Sequence, residues 1–129
     1  MWSNKYYYLN ICSDEKLSSS YDTQKIKKLL ISLDKFKQTS DFIFSNNPDF
    51  PFTTITLLKA KNIDSWSDRD VNKNDTNLIS IVCTKDNDEN FNCLKNVFIE
   101  IAKTLNWKLI DEQTDNGIEN STLWEPLKK

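Results

Sequence analysis

The chain has 129 residues, 38% hydrophobic and 12% aromatic, which excludes a disordered segment and fits one domain spanning residues 1–129. Seventeen Lys and Arg against nineteen Asp and Glu leave a net charge of −2, the wrong sign for a general nucleic-acid binder. A single glycine rules out a glycine-rich phosphate loop, and the lack of histidine removes Ser–His and Cys–His nucleophile pairs and imidazole metal sites.

Tyr6 to Cys12 reads as a strand, with Tyr7, Leu9 and Ile11 on one side and Tyr6, Tyr8 and Asn10 on the other. Ser13 to Ser20 is a polar connection. Asp22 then caps a helix whose apolar stripe is Ile26, Leu29, Leu30, Leu33 and Phe36, while Lys25, Lys27, Lys28, Lys35 and Lys37 cover its other faces. Asp41–Phe44 has the make-up of a short strand, and Asn46-Asn47-Pro48-Asp49 is a turn signal. Phe52 to Lys61 is a strand with Ile55 and Leu57 opposed to Thr54, Thr56 and Leu58. Residues 62–76 are a polar loop. Leu78 to Cys83 is nearly continuous in apolar character, which places it centrally in a sheet.

From Asn90 the apolar spacing becomes three and four: Phe91, Leu94, Phe98, Ile101 and Leu105, widened by Val97 and Ala102. Asp88 or Asn90 is the expected cap of this helix. After Asn106 the period drops to two, and Trp107, Leu109 and Asp111 alternate with Lys108, Ile110 and Glu112. A C-terminal tail starts at about residue 115, with Trp124 and Leu127 as the side chains able to fold back on the body. The expected fold is α+β: a mostly antiparallel sheet with two main helices packed on one face, in a split βαβ manner.

Charge is unevenly placed along this order. Residues 1–63 hold nine Lys and six acids (+3), and residues 64–129 hold eight Lys or Arg and thirteen acids (−5). Cys12, Cys83 and Cys93 are odd in number and lack CxxC spacing, so they read as buried free thiols of a reducing compartment rather than as a disulfide or zinc framework. The N-terminal residues lack a signal-peptide layout and no apolar run reaches transmembrane length, so the expectation is a cytoplasmic protein without membrane contact.

Acid–base or metal chemistry is left to carboxylates: Asp68 with Asp70, Asp86 with Asp88 and Glu89, and Asp111 with Glu112. All sit in turns or at strand ends, where exposed acids are the ordinary case. Asp64–Asp75 lacks the glycine an EF-hand loop needs, and neither a metal nor a cofactor is expected. Asp64, Trp66, Asp68 and Asp70 place a large aromatic among acids, countered only by Arg69. That is the composition of an interface hot spot, or of a loop whose tryptophan tucks into the core. Asp111, Glu112 and Asp115 form a second acidic segment that joins the first if their ends meet in the sheet.

The segment Ile101-Ala102-Lys103-Thr104-Leu105-Asn106-Trp107-Lys108-Leu109-Ile110-Asp111-Glu112, with the strand Thr76-Asn77-Leu78-Ile79-Ser80-Ile81-Val82, resembles bacterial immunity proteins of polymorphic toxin systems, including contact-dependent growth inhibition. The resemblance covers about residues 50–115. It implies a non-enzymatic inhibitor, monomeric or a weak homodimer, that binds the C-terminal domain of a cognate toxin and blocks its active site. That toxin is often a basic nuclease. The expected partner-binding residues are Asp64, Trp66, Asp68, Asp70, Asp111, Glu112 and Asp115, with the Lys-rich first helix uninvolved and no direct nucleic-acid contact. The other classes open to the sequence are a carboxylate-based metal-binding protein or enzyme, and a phage-type adaptor or inhibitor that mimics nucleic-acid charge.

Overall fold

A computed structural model describes residues 6–63, 66, 67, 69–85, 88–113 and 119–126. In chain order these form β1 (Tyr6–Cys12), β2 (Tyr21–Asp22), α1 (Thr23–Ser32), β3 (Phe36–Ser40), β4 (Ile43–Asn46), β5 (Thr53–Leu58), β6 (Asp75–Thr76), β7 (Leu78–Thr84), α2 (Asp88–Leu105), β8 (Lys108–Gln113) and β9 (Glu119–Trp124). Seven strands make one sheet in the order β3-β4-β5-β7-β1-β8-β9, and β2 pairs with β6 separately. Each pairing is antiparallel. The fold is α+β, with a seven-stranded antiparallel sheet and two helices.

Alternation along the strands divides the sheet into two faces. On one face Leu9, Ile11, Ile55, Leu57, Ile79, Ile81 and Leu109 join Ile26 and Leu30 of α1 and Leu94, Phe98, Ile101, Ala102 and Leu105 of α2 in the main core. The helical stripes expected from spacing thus meet one sheet face together. The opposite face carries a smaller core of Cys12, Leu17, Leu58, Ala60, Ile63, Leu78 and Ile110. Loops lie over it rather than helices, and β7, buried from both sides, sits between β5 and β1 as its apolar run requires.

Asp22 caps α1, its carboxylate accepting from the backbone N–H of Gln24 at 2.8 Å and Lys25 at 3.3 Å. The helix stops at Ser32. Leu33 is its C-cap and Asp34 adopts φ 58, a left-handed turn filled here without glycine. Phe36, spaced as a helical residue, is therefore the first residue of β3, where it packs into the main core beside Phe50.

Other boundaries also move. The short strand expected at Asp41–Phe44 begins at Ile43, Asn46 belongs to β4 rather than to the turn, and the strand from Phe52 is confined to Thr53–Leu58. The polar loop contains β6. α2 begins at Asp88, which puts both expected caps, Asp88 and Asn90, inside the helix rather than at its cap. The C-terminal segment includes an edge strand, β9, paired with β8, whose Trp124 packs against the main core; Leu127 lies outside the described residues. All three cysteines are free, but only Cys12 and Cys83 are buried, and Cys93 is exposed on α2.

Candidate partner-binding site

The long connection from β5 to β7 arches over the smaller core and is held at both of its ends. At its start Asn77 does the work of a strand partner. Its side-chain Oδ1 accepts from the Ala60 N–H and its Nδ2 donates to the Ala60 carbonyl, both at 2.8 Å and both buried. Lys59 N–H donates to the Asp70 carbonyl at 2.6 Å, closing the loop on itself. At its end β6 pairs with β2 just ahead of α1, and Thr23 Oγ1 meets Thr76 Oγ1 at 2.7 Å and the Asn72 carbonyl at 2.9 Å. Lys59 Nζ completes the tie, contacting Asp75 Oδ2 and Ser20 Oγ at 2.6 Å each.

This frame decides how the expected residues are displayed. Trp66 is half-buried and, with Val71, packs against the smaller core. Of its two readings, hot-spot anchor and core tuck, the geometry gives it the second as a structural role. Asp70 is half-buried and its Oδ2 accepts the Ser67 N–H at 2.9 Å, so this carboxylate shapes the loop as well as charging it. Asp64, Asp68 and Asp115 lie outside the described residues.

Asp111 and Glu112 are neighbours in β8, and alternation sends them to opposite faces. Asp111 is 5% exposed, shares its face with Leu109 and the helices, and its charge adds to the upward shift that burial imposes on the Cys83 thiol. Glu112 shares the other face with Ile110 and accepts from buried Asn10 Nδ2 at 3.2 Å. The sheet therefore separates two residues expected to form one patch, and it brings only Glu112 to the face that bears Trp66. Two carboxylates acting on one bond must both reach the same substrate, which neighbours on opposite faces of a sheet cannot do, so Asp111 and Glu112 do not form a hydrolytic pair.

Sequence reasoning missed Asn10 and Asn77, the two buried amides that organise this face. Neither position breaks a periodicity, and only three-dimensional pairing reveals what each holds.

The burial that hides Cys12 and Cys83 pushes both thiols up to about 12, with Asp14 adding to the effect at Cys12 and Asp111 at Cys83. Among the described residues no group of three His, Cys, Asp or Glu side chains is placed to hold a metal ion. An open hollow of about 370 Å³, lined by Asp34, Lys35, Asn47, Pro48, Asp49 and Phe50, lies instead at the α1–β3 and β4–β5 turns, toward the β3 edge of the sheet. No helix of the described residues is long and apolar enough to cross a membrane. Compared with protein-family models, with curated proteins and with solved structures, the chain matches none.

Proposed function

We propose that the chain is a cytoplasmic immunity protein that neutralises a cognate toxin domain, a basic nuclease by charge, through tight binding rather than catalysis. The observation that carries this reading is the tethering of the β5–β7 loop. The described part of the loop, held by the Asn77–Ala60 amide pair, the Lys59–Asp75 ion pair and the Trp66 packing, meets a partner with less left to order. The −5 charge of residues 64–129 supports it, because complementary charge accelerates and selects the encounter with a basic groove. In this reading the β7–α2–β8 crossover around β1 is a split βαβ unit serving as the rigid support, and the protein acts as a monomer or weak homodimer.

The direct experiment is a pull-down with the variable C-terminal domain of a large secreted protein encoded beside this chain, followed by an activity assay of that domain. Stoichiometric binding with loss of toxin activity is expected. Replacing Asp68 and Asp70 together by Asn slows association and flattens its salt dependence, since rim charges act mainly on rate. A toxin domain that does not bind, or binds and stays fully active, overturns the proposal.

A further inference from the structure

The smallest pairing in the fold sets two like charges face to face. β2 and β6 have two residues each, and their register puts Tyr21 opposite Thr76 and Asp22 opposite Asp75. Side chains directly opposite in an antiparallel pair lie about 4.5–5.5 Å apart at Cβ, where like charges weaken the pairing. Asp22 cannot turn away, because its carboxylate holds the Gln24 and Lys25 N–H groups at the start of α1. The repulsion therefore falls on Asp75, in the strand that ends the β5–β7 connection.

Lys59 answers that charge from just past the end of β5. Its Nζ donates to Asp75 Oδ2 and to Ser20 Oγ, at 2.6 Å each, so one ammonium group spans β6 and the residue that leads into β2. Among the described residues no other cation is ion-paired to either carboxylate. Further hydrogen bonds depend on β6 staying beside the helix start. Thr23 N–H donates to the Asn74 carbonyl at 3.2 Å and Gln24 Nε2 to the Lys73 carbonyl at 3.1 Å. The Lys59 and Asp75 side chains are 37% and 40% exposed, so water and salt reach the pair and its hold is modest.

We infer that the β2–β6 junction is a charge-operated clasp. Lys59 keeps it shut, and loss of that positive charge lets the facing carboxylates part the two strands. The inference stands apart from the partner-binding reading above. What opens is the described end of the β5–β7 connection, residues 69–76, which then leaves α1. What stays is α1 itself, since Asp22 caps it whether or not β6 lies alongside. Any change that neutralises or captures the Lys59 ammonium acts at this one point, so the clasp turns a local charge into a position of the loop.

The test is native-state amide hydrogen exchange of the full chain, followed by NMR, for the parent, Lys59→Met, Lys59→Arg and the double variant Lys59→Met with Asp22→Asn. Methionine keeps an unbranched stem without the charge, arginine restores the charge, and asparagine caps a helix as well as aspartate does while removing the repulsion. In Lys59→Met the Thr23 amide, whose acceptor is Asn74, should exchange about 2–10-fold faster, the effect of losing one partly exposed charge pair. Amides of β7 and of α1 beyond its first turn should exchange as in the parent. Lys59→Arg should match the parent, and the double variant should exchange more slowly at Thr23 than Lys59→Met alone. An unchanged Thr23 amide in Lys59→Met overturns the inference. So does a double variant as fast as Lys59→Met, because the carboxylates would then not be what parts the strands. Acceleration spread equally over α1 and β7 also overturns it, since Lys59 would then support the whole fold rather than the clasp.

Discussion

Asn77→Ala tests whether one buried amide holds the loop over the smaller core. The substitution removes two hydrogen bonds of 2.8 Å and strands the Ala60 N–H and carbonyl in a site where Asn77 is 5% and Ala60 6% exposed. Each buried backbone group left unsatisfied costs about 1–3 kcal/mol, so the loss for the two is roughly 2–6 kcal/mol. A domain of this size has about 5–15 kcal/mol in all, so a large share of the total is at stake. Urea unfolding reads it directly: the midpoint falls by about 1–2 M with an unchanged slope. Native-state hydrogen exchange should show residues 59–63 and 69–77 opening well before β1 and β7. A midpoint within about 0.3 M of the parent would refute the reasoning, because water would then be serving Ala60 as well as Asn77 does.

Trp66→Ala should cost about 1–3 kcal/mol, less than truncation of a fully buried aromatic because the side chain is only half-buried. Unfolding by urea with the α2 circular dichroism signal as readout measures it, and unchanged stability would return Trp66 to the role of an exposed anchor. Iodoacetamide should label Cys93 in the folded chain while sparing Cys12 and Cys83, which react only after denaturation. Those two buried thiols also make stability depend on pH. Burial pushes their folded pKa up to about 12, above the ordinary thiol value of 9.0, so the unfolded chain loses protons first and stability declines as pH rises from about 9 toward 12. In Cys83→Ala that decline should be shallower, as measured by urea midpoints at pH 8.5 and 11.

The parts of the fold that the sequence reveals are those whose side chains meet one environment repeatedly. α2 and β7 have long runs against the core, and their periodicity is a record of that contact. β3 leaves no such record. After Phe36 its residues Lys37, Gln38, Thr39 and Ser40 are all exposed at the sheet edge, so neither face selects apolar side chains. Phe36 itself continued the three-and-four spacing of α1, and the left-handed stop at Asp34 came without the glycine that usually marks one. Pairing caused the rest of the difficulty. Nothing in the order of letters shows that Asn10 lies under Glu112, or that neighbouring Asp111 faces the helices. The acidity of the loop was legible; the tie of Lys59 to Asp75 and the seat of Trp66 depended on residues far apart in sequence.

The position of β1 sets the order in which this protein can assemble. Of the described strands it is made first, yet both of its neighbours come from far later in the chain: Ile11 pairs with Ile79 on one side and Leu109 on the other. The β3-β4-β5 meander can form from nearby residues, whereas β1 must wait for β7 to exist before it gains its first partner. Contacts of such long range slow folding, because the intervening chain must be closed before they contribute. Until then the strand Tyr6–Cys12 travels with two open edges and its apolar side chains uncovered, which makes it the segment most in need of a chaperone during synthesis.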